Sequence, residues 1–183
     1  MKIIILDGSP VEKDNPFDRF LEKLCAALEK ENHTVKKLEL RDMDINYCTG
    51  CWGCWVKTPG QCVIKDDSNI VCQETINSDL VIFASPVIMG FISATLKKTM
   101  DRMICLLHPY IEFVEKECHH RKRYDKYPLL GLILDKNHEN PGQDITITID
   151  IFKRFSLNFR SKLQFTGFAA NPVQEVINEI NHI

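Results

Sequence analysis

The sequence predicts a doubly wound α/β fold. Three observations carry the prediction. Short apolar runs at Ile3–Leu6, Leu80–Ala84 and Leu129–Leu134 are continuous rather than alternating, the mark of strands buried on both faces. Stripes of helical periodicity lie between them. The resulting order, βαβαβαβαβα, is the rhythm of a parallel sheet covered by helices on both faces.

The elements follow in chain order. Ile3-Ile4-Ile5-Leu6 stops at Asp7-Gly8-Ser9-Pro10 and forms the first strand. Phe17, Phe20, Leu21, Leu24, Cys25 and Leu28 then share one helical face. Asn15 is a good cap for that helix, and Pro16 suits its first position. Val35, Leu38 and Leu40 suggest a half-exposed second strand. Cys48 to Cys62 is an irregular, glycine-containing loop, and Asp66-Asp67-Ser68 caps a short helix through Ile76. Leu80–Ala84 is the third strand, ended by Ser85-Pro86. Ser93 caps a helix whose stripe is Leu96, Met100, Met103, Ile104 and Leu107. His119-His120-Arg121-Lys122-Arg123, before Pro128, reads as a solvated helix end. Leu129–Leu134 and Leu163–Phe168 are the fourth and fifth strands, and Asn171-Pro172 opens a last helix with Val173, Val176, Ile177 and Ile180 inward.

One segment carries two patterns. Ile145, Ile147, Ile149 and Ile151 alternate as a strand would, yet Ile145, Ile149, Phe152, Phe155 and Phe159 make a helical stripe. A parallel sheet needs a crossover between its fourth and fifth strands, so the segment is read as helix.

Composition bounds the function. The chain has 183 residues, enough for a single domain over 1–183, and its 44% apolar content supplies a core. A net charge of −2 argues against a polyanion-binding surface, so no nucleic-acid partner is expected. No apolar run is long enough to span a bilayer, and the start of the chain lacks the form of a signal peptide. The expectation is a soluble cytoplasmic protein without a membrane partner. In a reducing compartment, eight cysteines point to metal, redox or core roles rather than disulfides.

Ligands of doubly wound sheets sit outside the carboxyl ends of the strands, at the switch point. That brings the Gly8-Ser9 and Ser85-Pro86 loops face to face. The first leads into a helix N-terminus, a ready anion site. Its charge is unfavourable for an anion: Glu12, Asp14 and Asp18 are offset within the loop only by Lys13. Asn15 with Asp18 also resembles a capping box, which would use donors that a ligand needs.

The spacing Cys48-x2-Cys51-x2-Cys54-x7-Cys62 places four cysteines in fifteen residues. Three thiolates at this interval can wrap a face of an iron–sulfur cluster, with a fourth from farther along. Gly50 and Gly53 would let amides turn toward the sulfurs. Zinc, a disulfide, a redox dithiol and free thiols packed with Trp52 and Trp55 all remain open. Cys25, Cys72, Cys105 and Cys118 read as packing residues.

Three blocks resemble the flavodoxin-like family of NAD(P)H-dependent FMN reductases: Ile3–Pro10, Cys48–Asp67 and Ser85–Arg102. The middle block, with compact cysteines before Val63-Ile64-Lys65-Asp66-Asp67, is most similar to the iron–sulfur flavoprotein branch. The resemblance implies a five-stranded parallel sheet in the order 2-1-3-4-5 and an FMN-binding oxidoreductase or electron-transfer flavoprotein. NAD(P)H or a ferredoxin-like protein would donate electrons, and a small molecule or protein would accept them. The FMN phosphate would lie on Ser9, Pro10, Val11, Asn15, Pro16 and Phe17, and the ring along Ser85, Pro86, Val87, Ile88, Met89 and Gly90. A cluster would use Cys48, Cys51, Cys54 and Cys62.

Relatives often carry Arg at the place of Val11, Thr or Ser at that of Pro16, and aromatic residues near Ile88-Met89. The Asp135-Lys136-Asn137 segment lacks glycines common there, so a third ring contact has less support. The chemistry belongs to the flavin, so no protein acid or base is named as catalytic. The family usually dimerises, and Trp52, Trp55 and Phe91, large apolar groups near the site loops, fit a homodimer. The alternative is a degenerate flavodoxin-like module without FMN that acts by protein association.

Overall fold

In the computed structural model, which describes residues 1–11, 13–136 and 142–183, five parallel strands form the centre. They are β1 (Lys2–Asp7), β2 (Thr34–Glu39), β3 (Leu80–Ile88), β7 (Leu129–Asp135) and β8 (Leu163–Phe168), in the spatial order β2-β1-β3-β7-β8. In order of appearance along the chain this is the expected 2-1-3-4-5. Ile3 lies opposite Val35 on one side and Leu80 on the other, so the switch point falls between β1 and β3.

The strand period of two divides the core. Ile3 and Ile5 point to one face, with Leu80, Ile82 and Ile133. There α1 (Pro16–Lys30) and α6 (Val173–Asn181) bury Leu21, Leu24, Leu28, Val176, Ile177 and Ile180. Ile4 and Leu6 point to the other face, with Val81, Phe83, Leu132 and Leu134. That face is covered by α3 (Ser68–Ile76), α4 (Ala94–Arg102) and α5 (Gly142–Asn158). The doubly patterned segment is thus helix, with Ile145, Thr148, Phe152 and Ser156 inward. No described helix is long and apolar enough to cross a membrane.

Several readings need correction. β3 does not end at Ser85-Pro86. It runs on to Ile88, past its last pairing with β1 at Ala84, while β7 accompanies it to Pro86. It then turns at Met89-Gly90 and pairs back through β4 (Phe91–Ile92), which adds an antiparallel member to the sheet. Helix α4 stops at Arg102. A 3-10 turn continues to Leu106, and Leu107 begins a strand.

The basic run is no helix end. β5 (Leu107–Val114) and β6 (Glu117–Lys122) form a separate antiparallel hairpin, with Val114 opposite Glu117. Its two-residue turn, Glu115-Lys116, has φ of 47° and 68°. Such turns normally announce themselves with Asn or Gly, so the usual signal was missing. Phe91 packs against the core rather than standing free. Glu12 and Asn137, both weighed in the sequence, lie outside the described residues.

Candidate functional site

The two expected loops are joined. The Gly8 amide donates to Ala84 O at 2.8 Å, and the Ser93 hydroxyl donates to Gly8 O. A Cβ on Gly8 would sit 2.6 Å from Leu96 Cβ and 3.0 Å from Ala84 O. Only glycine lets the first loop approach the second this closely. Ser85 and Ser93 are both fully buried: Ser93 N donates to Ser85 Oγ at 2.9 Å, and Ser93 Oγ caps α4 through the Leu96 amide. The Ser85 hydroxyl therefore braces the platform.

The first loop is shaped from within. Asp7 Oδ1 accepts from the Ser9 amide at 2.9 Å, and Ser9 Oγ accepts from Asn15 Nδ2 at 3.5 Å. Asn15 Oδ1 caps α1 through the Asp18 amide, as expected. Pro10, Val11 and Pro16 are exposed. Phe17 and Val87 are buried in the cores of opposite sheet faces, so each faces a ligand only with its backbone. Pro86 and Gly90 are half-buried, while Ile88 and the fully exposed Met89 form the tip of the second loop.

The sequence misjudged the charge here, because the compensating cation comes from another element. Arg41, in the 3-10 turn after β2, donates two bonds of 2.9 Å to the buried Asp18 carboxylate. It also reaches Val11 O at 3.3 Å and stands 3.9 Å from Asp7. Lys13 turns away to Asp42 and Glu39, at 2.7 and 3.2 Å. Asp7 is fully buried; burial pushes its carboxyl up, against the Ser9 amide bond and the Arg41 charge. Its Oδ2 is a buried atom with no hydrogen-bond partner in the structure. The Ser9 hydroxyl, the Asn15 side chain and the first-turn amide of Phe17 surround a loop whose neighbouring acid Asp18 is neutralised. This cradle fits an anion.

The cysteine loop is tied down at both ends. Arg102 is buried and donates to both oxygens of Asp66, at 2.8 and 3.0 Å. It also donates to Asn46 O at 2.6 Å and to Cys62 Sγ at 3.1 Å. Asp66 in turn accepts from the Asn46 amide at 3.0 Å and from Ser68 N and Oγ. Asp67 holds the N-cap position of α3, but its carboxylate takes the Asp44 amide, and the side-chain bond to the helix's first amide comes from Asp66. Two motif residues far apart in sequence, Asp66 and Arg102, do one job.

Between these ties the loop carries α2 (Gly53–Val56). Gly50 and Trp52 have φ of 64° and 59°, and a Cβ on Gly53 would lie 2.6 Å from Val63. Trp52 and Trp55 stack at 4.9 Å, and the Trp55 indole N–H reaches Leu107 O at 2.9 Å. Cys48, Cys51, Cys54 and Cys62 all line one cavity of about 520 Å³ beneath the loop, with Met103, His120 and Phe155 among its walls.

Cys54 is buried and Cys48 and Cys51 are exposed. Burial pushes the Cys54 thiol up to about 11. The Gly53 amide and the Thr49 side chain hold the exposed Cys51 thiol below its ordinary value. All eight cysteines are free. Among the described residues no three His, Cys, Asp or Glu side chains converge on a point for one metal ion. A single zinc, with bonds of about 2.3 Å, would need that convergence. A cluster would interpose its own iron and sulfide between the thiolates.

Residues 1–121 match the family model of the NADPH-dependent FMN reductases. An iron-sulfur flavoprotein of Archaeoglobus fulgidus is 36% identical over 104 residues, 57% of this chain and 46% of that protein. The chain spans about half the length of the curated relatives it matches. Among solved structures, an azoreductase from Bacillus anthracis superposes with a TM-score of 0.67 at 13% identity, covering 98% of this chain and 92% of its own. The NAD(P)H:quinone oxidoreductase from Methanothermobacter marburgensis gives 0.64 at 15% identity, covering 99% and 94%. At these identities the superpositions show a shared flavodoxin-like fold.

Proposed function

The chain belongs to the NADPH-dependent FMN reductase family, a family of oxidoreductases, and we propose that it binds one FMN across the two joined loops and passes electrons from a nicotinamide or ferredoxin-like donor to an acceptor. The observation that carries this reading is the first loop itself. It sits at the switch point, leads into the start of α1, and has its adjacent acid Asp18 paired by Arg41. The Arg41–Asp18 pair removes one of the three acids that counted against a phosphate and so supports this reading over a flavin-free module.

Bound FMN would supply the hydride and single-electron chemistry. The chain's own part is placement. Ser9, Asn15 and the Phe17 amide would hold the phosphate, the buried Ser85–Ser93–Gly8 bonds keep the loops in register, and the Ile88–Met89 tip would contact the ring. Cys48, Cys51, Cys54 and Cys62 would hold an iron–sulfur cluster. The shared cavity and the names of the relatives support that assignment. A homodimer belongs to the same proposal, supported by the exposed Trp52 and Met89 beside the site.

Flavin-loaded protein mixed anaerobically with NADPH or NADH should lose its flavin absorbance. If neither these nor reduced ferredoxin bleaches a bound flavin, the oxidoreductase reading fails. The charge argument has its own test. Arg41→Met should weaken FMN binding on the order of tenfold, because Asp18 would then face the loop unpaired. Asp18→Asn, which keeps a polar side chain there and frees the Arg41 charge, should tighten it. Calorimetric titration with FMN checks both signs.

A further inference from the structure

Beneath the cysteine loop, two thiols outside the proposed ligand set face each other. Cys72 on α3 and Cys105 in the 103–106 turn have their Sγ atoms 3.5 Å apart. Both are buried, at 5% and 0% exposure, yet Cys72 also lines a separate surface cavity of about 630 Å³ bounded by Gly60, Gln61, Leu106 and Tyr124. We propose that Cys72 and Cys105 are a redox pair that a small hydroperoxide closes to a disulfide.

Three features support the pair beyond simple packing. The gap to close is small. A disulfide needs about 2.05 Å between sulfurs, so α3 and the turn must together give about 1.5 Å. The pair has an entrance: hydrogen peroxide is little larger than water, and the cavity brings it to the Cys72 side. The two thiols are also unequal. The hydrogen bond they share pushes Cys72 up and holds Cys105 down, and the charges of Arg123 and Arg102 favour the Cys105 thiolate. Cys105 is thus the readier thiolate, suited to the second attack, on a sulfenic sulfur formed at Cys72.

The chemistry balances without a further reactant. The Cys72 sulfur attacks one peroxide oxygen and the O–O bond breaks. The departing oxygen leaves as water with the thiol proton, and Cys72 becomes a sulfenic acid. The Cys105 sulfur then attacks the sulfenic sulfur and expels its hydroxyl, which leaves with the Cys105 proton as a second water. Two thiols lose two electrons and one peroxide gains them.

The test is a peptide map of the purified protein after brief hydrogen peroxide treatment, unfolding and alkylation. Trypsin places Cys72 alone in fragment 66–97 and Cys105 alone in fragment 103–116. The two fragments should appear joined in most chains and separate after dithiothreitol. Cys105→Ala should abolish the joined species and send Cys72 to the sulfinic acid, whereas Cys25→Ala should leave it intact. Alkylation of both fragments at doses that oxidise the exposed Cys48 and Cys118 would overturn the proposal. So would Cys72 joined instead to Cys62, which lies alone in fragment 58–65. If Cys105→Ala does not fold, the wild-type map alone decides.

Discussion

Replacing Arg102 by Met should lower stability by about 3–5 kcal/mol, the usual result of leaving a buried partner charge uncompensated. The side chains of Arg102 and Asp66 are 1% and 0% exposed. The loss extends beyond the pair, because the same guanidinium holds Asn46 and Cys62. Urea unfolding followed by circular dichroism measures the change.

The pair also sets a pH dependence. Burial alone would push the Asp66 carboxyl up, but the bonds from Ser68, the Asn46 amide and Arg102 outweigh it and hold it well below the usual carboxylate range. A folded value below the unfolded one means that the stabilisation is complete above about pH 4 and is lost as pH falls further. Wild type should therefore lose stability on acidification through this range. Asp66→Asn should start less stable and lose less. Parallel acid curves for the two proteins would contradict the assignment.

Substitution of any one of Cys48, Cys51, Cys54 or Cys62 by Ser should reduce bound iron to background after anaerobic reconstitution with iron and sulfide. An incomplete thiolate shell leaves iron open to water and oxygen. Wild type should gain broad visible absorbance, and Cys72→Ser should keep it. The flavin site should survive in every case, since the sheet-edge loops are held by Gly8, Ser85 and Ser93 rather than by the cysteine loop. Wild type without iron under these conditions would return the four cysteines to free thiols.

The strands and the crossover helix were legible because burial on two faces leaves continuous apolar runs, and 145–159 was resolved by topology rather than by its own pattern. The hairpin over 107–122 was not legible. Its turn uses Glu115-Lys116 in place of the residues that favour positive φ, and its basic sequence resembles a solvated helix end. The candidate site was legible as loops and invisible as a network. Arg41 lies 23 residues from Asp18, and Arg102 lies 36 from Asp66, so no local window contains either pair. Asp66 and Arg102 belong to separate sequence motifs, and only the fold shows that one ties down the other. The contact between Cys72 and Cys105, 33 residues apart, is of the same kind.

Titration of the purified protein with FMN by calorimetry tests the central claim most directly. The account predicts saturable binding of one FMN per chain, weakened by Arg41→Met and unaffected by Cys54→Ser. Absence of binding by wild type and by Asp18→Asn, with circular dichroism showing both folded, would contradict it.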